Sequence, residues 1–134
     1  MIDFNYELEF TLDDEAVYAS WLTKVIESEN KKLGEINYIF CDDEYLLAIN
    51  VEYLNHDTLT DIISFDYSMG NELHGDIFVS IERVKDNATD FKVLFKEELK
   101  RVLVHGILHY CGYKDKGEAE ELVEEAQELV EEEK

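Results

Sequence analysis

Hydrophobic residues recur at two different spacings along the chain, and each spacing predicts one type of secondary structure. In residues 2–10 every second residue is apolar, which predicts a half-buried strand. Residues 16–26 carry apolar side chains at helical spacing after capping residue types at 11–14, and Gly34 is expected to end this helix. Three further segments are expected to be strands: 35–41, 61–67 and 75–82.

Helical periodicity accounts for the other apolar segments. A short helix is expected to begin at Asp42 or Asp43, and a main buried helix is expected over residues 90–110, ending at Gly112. Residues 118–133 have the pattern of an acidic amphipathic helix. The order β-α-β-α-β-β-α-α predicts one α+β domain spanning all 134 residues, in which a small mixed four-stranded sheet packs with about four helices and the main helix is central.

Composition and charge narrow the possible compartments and partners. Apolar residues make up 46% of the chain, no run is long enough to span a membrane, and the first residues lack a signal-peptide pattern, so a cytoplasmic protein with no membrane partner is expected. Two distant cysteines exclude a disulfide framework and a four-cysteine zinc site. The net charge of −21 repels nucleic acid on average, but residues 83–116 hold eight bases against five acids, and RNA contact is expected only there.

The pattern with the clearest chemistry is a pair of histidines, His105 and His109, on the main helix. Positions i and i+4 of a helix lie on one face about 5–6 Å apart, so both imidazoles can bind one zinc ion. Asp115 follows the break at Gly112 and can return to that ion as a third ligand, which leaves a coordination position open as in catalytic zinc sites. The alternative interpretation of the spacing is two core histidines without a metal.

Gly106, directly after the first histidine, separates this pattern from that of zinc peptidases. In the H-E-x-x-H motif a glutamate at that position acts as general base. Glycine cannot accept a proton, so peptidase activity is not expected. A serine–histidine–aspartate triad is unsupported as well, because no nucleophile elbow surrounds Ser64 or Ser80.

Three segments of the chain resemble motifs of the YbeY endoribonuclease family. Residues 105–115 read H-G-I-L-H-Y-C-G-Y-K-D and resemble the family's H-G-x-L-H-L-x-G-Y-D-H. Residues 49–65 read I-N-V-E-Y-L-N-H-D-T-L-T-D-I-I-S-F and resemble L-N-x-x-Y-R-x-x-D-x-P-T-D-V-L-S-F, and residues 75–80, G-D-I-F-V-S, resemble G-D-I-x-I-S. The resemblance implies an endoribonuclease, dependent on one Zn²⁺ per chain, that cuts single-stranded RNA in maturation of the small-subunit ribosomal RNA 3′ end and in ribosome quality control. Ribosomal RNA and the ribosome or its proteins are the implied partners.

The same resemblance assigns the metal ligands and candidate catalytic residues. His105 and His109 match the first two metal-binding histidines, whereas the family's third histidine falls on Asp115 and the aspartate before it on Lys114. The candidate catalytic residues are His109, Lys114 and Asp61. Asp61 is expected either to orient a ligand imidazole or to cap a turn before a strand.

A second departure from the family concerns the positive charge that faces the phosphate. The family's arginine falls on Leu54 and its proline on Leu59, and leucine cannot stabilise charge on a phosphate. His56 and Lys114 are candidates to replace the arginine. Three lysines are expected to form an i, i+4 helical stripe that follows an RNA backbone, or else a solvated helix face: Lys92, Lys96 and Lys100.

Two other functions fit parts of the pattern. A non-catalytic ribosome-assembly module would use zinc to hold the segment after Gly112 on the helix, while the acidic C-terminal helix binds a basic ribosomal protein. The missing arginine and the net charge of −21 favour this alternative. Two histidines and a carboxylate also match the facial triad of non-haem iron enzymes, which is the third interpretation.

Overall fold

Four strands form one mixed sheet in the computed structural model, which describes residues 1–54 and 60–113. The strands and helices of these residues are β1 (Ile2–Tyr6), α1 (Glu15–Ser28), β2 (Lys32–Cys41), α2 (Asp43–Leu54), β3 (Ile62–Asp66), β4 (Glu72–Ser80), α3 (Ile81–Phe91) and α4 (Phe95–Tyr110). The order across the sheet is β1-β2-β4-β3. β3 runs antiparallel to β4, and the other neighbouring strands are parallel.

The two faces of the sheet are covered differently. Neighbouring residues of a strand point to opposite faces, so alternate residues of β2 and β4 divide between two cores. The larger core joins one face of the sheet to α1, α3 and α4, and Tyr38, Ile77 and Leu103 are buried in it. The smaller core joins the other face to α2 through Leu46 and Ile63. The helix that carries the histidine pair therefore lies in the larger core.

The predicted fold class is confirmed, with corrections to several boundaries. β1 ends at Tyr6 rather than at residue 10, β2 begins at Lys32, and β4 begins at Glu72. The expectation that Gly34 ends the first helix is wrong. α1 ends at Ser28, followed by Asn30 in the left-handed conformation (φ 60°). Gly34 lies in β2, where a Cβ atom would meet the His74 ring at 2.5 Å.

The predicted main helix over residues 90–110 is wrong at its N-terminal end, because the chain makes two helices there. Lys92 caps α3 with a left-handed φ of 57°, Leu94 is extended, and α4 begins at Phe95. Phe91 and Leu94, predicted to be buried on the helix, are 59% and 70% exposed. The predicted C-terminal stop at Gly112 is confirmed.

The predicted acidic helix over residues 118–133 lies outside the described residues. None of the helices in the described ranges has the length and hydrophobicity needed to cross a membrane.

Asp43, at the start of α2, links that helix to β4 and α3. Its carboxylate accepts a hydrogen bond of 2.6 Å from the Ser80 hydroxyl and pairs with the Arg83 guanidinium at 3.0 Å. Burial raises the pKa of Asp43, but the hydrogen bonds from Arg83 and Ser80 lower it by more, so the pKa of Asp43 lies below its usual value.

This network makes stability depend on pH in a defined direction. Asp43→Ala is expected to lower the free energy of unfolding by about 1–3 kcal/mol at pH 7, because a charged hydrogen bond and an ion pair are lost. A carboxyl group whose pKa is lowered by folding stabilises the native state above its unfolded pKa of about 3.9, and this contribution disappears as pH falls through the folded pKa. Urea denaturation at pH 7 and pH 3 measures the free energy of unfolding, and the difference between Asp43→Ala and wild type is expected to be smaller at pH 3.

Asp86→Ala is the matched control, because Asp86 pairs with the same arginine but its side chain is 61% exposed. A change in the free energy of unfolding within about 0.5 kcal/mol is expected for this variant. An equal loss at both pH values for Asp43→Ala would contradict the prediction.

Candidate active site

The position of α4 is set by close contacts with the sheet on both sides of the histidine pair. The buried Tyr38 hydroxyl donates a hydrogen bond of 2.6 Å to the Leu103 carbonyl oxygen. After the pair, the Tyr110 hydroxyl donates to the Phe65 carbonyl oxygen at 2.9 Å. A Cβ atom at Gly75 would collide with the Tyr110 hydroxyl, so glycine there lets the helix end approach the sheet. Burial raises the pKa of both tyrosines, which keeps their hydroxyls protonated as donors.

His105 and His109 lie on α4 one helical turn apart, as the sequence predicts. A spacing of four residues places them on the same face, separated by a rise of about 6 Å. His105 is half-buried and His109 is exposed. The pair is therefore at the surface of the helix, so the interpretation of two core histidines does not describe His109.

The helix ends directly after the pair. Gly112 has a left-handed φ of 99°, and its N–H donates to the His109 carbonyl oxygen at 3.1 Å. The Tyr113 N–H donates to the Leu108 carbonyl oxygen at 3.2 Å. These two hydrogen bonds form a Schellman motif, which ends a helix and turns the chain away from its axis. Lys114 and Asp115 follow this turn and lie outside the described residues.

Asp61 lies directly before β3 and takes part in a network with α3 and α4. Its carboxylate lies 3.6 Å from the Arg101 guanidinium and 3.5 Å from the Asn87 amide. Arg101 in turn makes two hydrogen bonds of 2.7 Å to the carboxylate of Glu98, whose side chain is 2% exposed. The sequence did not single out Arg101 or Glu98. The available signal was spacing, since Arg101 precedes His105 by four residues and so shares its helix face.

The three candidate RNA-binding lysines do not form one helical stripe, so that part of the expectation is wrong. Lys92 caps α3, and only Lys96 and Lys100 lie on α4. At about 100° per residue, Lys96 is rotated roughly 180° around α4 from His105. A role for these lysines in RNA binding remains a prediction. His56, the other candidate, lies outside the described residues.

His74 serves as an internal comparison for the histidine pair. Its Nδ1 accepts a hydrogen bond of 3.1 Å from the Glu35 N–H, and its Nε2 lies 2.7 Å from a Glu72 carboxylate oxygen. This half-buried ring thus bridges β2 and β4. Its contacts are those of a structural residue of the sheet.

The donor chemistry of the described residues fits a zinc ion. Two imidazoles on one accessible helix face are ligands that zinc prefers. No group of three or more histidine, cysteine, aspartate or glutamate side chains in the described ranges is suited to hold a metal. The predicted third ligand, Asp115, lies beyond those ranges, so the described residues supply two of the three predicted donors.

These features define the class: a small α+β protein with a mixed four-stranded sheet and a candidate site on one central helix. The sequence model described as "Endoribonuclease YbeY" matches residues 4–133. The chain belongs to this family, whose members are named as endonucleases of RNA, and the predicted family and enzyme class are confirmed.

Individual relatives agree with this assignment along nearly the whole chain. The Endoribonuclease YbeY of Flavobacterium johnsoniae is 74% identical over 120 residues, which cover 90% of this chain and 86% of the relative. The Endoribonuclease YbeY of Flavobacterium psychrophilum is 68% identical over 123 residues, covering 92% and 88% respectively. The solution structure of a Thermotoga maritima protein is similar with a TM-score of 0.70 and 25% sequence identity, over 99% of this chain and 91% of that chain.

Proposed function

We propose that this chain is a cytoplasmic, zinc-dependent endoribonuclease that cuts single-stranded RNA, acting as one domain over residues 1–134. Its place of action would be maturation of the small-subunit ribosomal RNA 3′ end and ribosome quality control, with ribosomal RNA and the ribosome as partners. The observation that carries the proposal is the pair His105 and His109 on one face of α4, followed at once by the Schellman turn at Gly112. The relatives named as endoribonucleases support the reaction class.

Each candidate residue has a proposed role in metal binding or in contact with the phosphate. His105 and His109 would hold one Zn²⁺, with Asp115 as third ligand after the turn. When bound, the ion supplies a Lewis acid that polarises a phosphoryl oxygen and lowers the pKa of water toward about 7. The Schellman motif at Gly112 ends α4 just before the segment that holds Lys114 and Asp115 in the sequence, from which the third donor would come. Lys114, beside that ligand, would offer a positive charge to phosphate.

Two contacts of α4 with the sheet keep the histidine pair in place. Tyr38 and Tyr110 fix α4 to the sheet before and after the histidines by hydrogen bonds to main-chain oxygens. A site built on a packed helix holds its ligands more rigidly than one built on a loop.

The proposal is tested by metal content and RNA cleavage measured on the same protein preparations. Wild-type protein purified without added metal is expected to contain one zinc per chain and to cut a single-stranded RNA oligonucleotide but not the same sequence in a duplex. Asp115→Ala is expected to lose zinc and cleavage together. Full zinc occupancy in Asp115→Ala would overturn the ligand assignment, and predominant iron in wild type would overturn the zinc assignment.

Two further readouts separate the alternatives. The ends of the products report the nucleophile, because a 2′,3′-cyclic phosphate requires attack by the RNA 2′-hydroxyl in at least one step. Zinc-loaded wild type that does not cut RNA, yet binds ribosomal protein, would support the non-catalytic assembly module instead.

A further inference from the structure

Arg101 lies on the face of α4 that carries His105 and His109, called the histidine face below. Two carboxylates contact its guanidinium, one at a short distance and one at a longer distance. Arg101 precedes His105 by one helical turn, and Glu98 and Asp61 lie against its guanidinium. The chain has one other arginine, Arg83, which pairs with Asp43 on α2 and with Asp86 on α3. The histidine face of α4 therefore carries a fixed cation that the sequence motifs did not reveal.

Glu98 is the tight partner. Both of its oxygens accept hydrogen bonds of 2.7 Å, one from Nε and one from Nη2 of Arg101, and its side chain is 2% exposed. A bidentate pair of this kind fixes the plane of the guanidinium as well as its position. Because Glu98 is buried, it cannot leave the arginine without exposing its charge to an apolar interior.

Asp61 is the loose partner. Its carboxylate lies 3.6 Å from Nη2, beyond ordinary hydrogen-bond distance, and its side chain is 23% exposed. Its main chain is fixed, since the Asp61 carbonyl oxygen accepts a hydrogen bond of 2.9 Å from the Ser80 N–H. The side chain can therefore move away from Arg101 without a change in the strand, at little cost for a pair near the surface.

Phosphate and carboxylate oxygens compete for the same guanidinium donors, and arginine binds both with similar geometry. An anion at the histidine face would therefore meet an arginine whose buried partner, Glu98, stays in place and whose half-buried partner, Asp61, can be displaced. The Asn87 amide, 3.5 Å from the Asp61 carboxylate, lies at the same place as a neutral donor.

We propose that Arg101 binds a phosphodiester group of the RNA substrate, and that the Asp61 carboxylate occupies this position in the substrate-free protein. The proposal rests on the proposed function, because it takes the histidine face as the place where RNA is cut. It assigns Asp61 a competing role, different from orienting an imidazole or capping a turn. Removing the carboxylate of Asp61 should then strengthen RNA binding, whereas removing Arg101 should weaken it.

The test is a binding titration of zinc-loaded protein with a short, fluorescently labelled, 2′-O-methyl phosphorothioate oligonucleotide that resists cleavage. Asp61→Asn is expected to bind about two- to five-fold more tightly than wild type. Arg101→Gln is expected to bind at least about ten-fold more weakly, since a charged hydrogen bond is lost. The double variant is expected to bind as weakly as Arg101→Gln, because without the arginine Asp61 has nothing to block.

Two control variants separate a specific effect of Arg101 on RNA binding from a general loss of charge or of folding. Arg83→Gln removes the same charge from an arginine that also lies between two carboxylates, and its effect on binding should be much smaller than that of Arg101→Gln. Arg101→Lys keeps a cation beside Glu98 if Arg101→Gln does not fold, and it should still weaken binding because lysine lacks the bidentate geometry. Unchanged binding in Arg101→Lys or Arg101→Gln, or equally tight binding by Asp61→Asn with and without Arg101, would overturn the proposal. Wild-type cleavage of unmodified RNA, measured in parallel, reports separately on the proposed function.

Discussion

Replacing either His105 or His109 by alanine is expected to lower the rate of RNA cleavage by more than about a hundred-fold, with loss of the bound metal. Changes to residues that only support metal ligands already cost about 10- to 100-fold in affinity or activity, and removing a ligand should cost more. Both histidines lie on one face of α4, so each variant leaves a single imidazole there. Metal content and single-turnover cleavage of a single-stranded RNA, measured on the same samples, test the expectation.

The matched control for this pair is His74→Ala. It removes an imidazole of the same chemistry from β4, where the ring contacts Glu72 and Glu35 rather than the candidate site. Zinc content equal to wild type is expected for this control. A His109→Ala protein that retained one zinc per chain and wild-type cleavage would contradict the assignment of the site to α4.

The histidine pair was predictable because its geometry depends only on local structure. Once a helix covers residues 105–109, a spacing of four places both side chains on one face, whatever the rest of the fold does. The end of the helix at Gly112 was predictable for a related reason, since glycine adopts the left-handed φ of a Schellman turn without strain. These local rules define the candidate site.

The network around Arg101 was not predictable in the same way. It depends on Asp61, forty residues earlier in the chain, and the two residues meet only because β3 is placed beside α4 in the folded protein. The helix α3 was not predicted as a separate helix, for a different reason. Its buried residues Ile81, Val84 and Ala88 follow helical spacing and Ser80 caps it, so the sequence carries the signal. The strand predicted over residues 75–82, however, includes the first two residues of this helix.

Charge explains why a phosphate contact is expected at a few fixed cations instead of over a broad surface. With a net charge of −21, long-range attraction cannot bring RNA to the protein. Lys96 and Lys100 lie on the far side of α4 from the histidines, so they cannot act on the same phosphate as a metal held by the pair. Cations held at the site, by contrast, act over short distances where salt screens them less. Arg101 on the histidine face meets this requirement.

Gly106→Glu, which would create an H-E-x-x-H sequence, is expected to lower the free energy of unfolding by more than about 4 kcal/mol, a large part of the roughly 5–15 kcal/mol that stabilises a typical domain. Gly106 is buried against the sheet, where a Cβ atom would lie 3.0 Å from Ile62 Cδ1 and 3.2 Å from Ile77 Cδ1. A longer side chain overpacks this contact, at about 1–3 kcal/mol. Burial of the glutamate carboxylate adds several kcal/mol to this cost if the group stays charged, and the group avoids part of the cost by taking up a proton.

Urea denaturation followed by the fluorescence of the buried Trp21 tests this expectation, with Gly106→Ala as the matched control. The atoms nearest to an alanine methyl would be side-chain methyl groups of Ile62 and Ile77 at 3.0–3.3 Å, which must shift slightly. Alanine favours a helix over glycine by about 1 kcal/mol, which offsets this cost, so a change within about 1 kcal/mol is expected. Burial raises the pKa of the new carboxyl group above its unfolded value, so the native state binds the proton more tightly and the loss should shrink as pH falls from 7 toward 4. A Gly106→Glu protein as stable as wild type at pH 7 would contradict this account. The expected results would show that packing α4 on the sheet requires a small residue between the two histidines, so this site has no room for a peptidase base at that position.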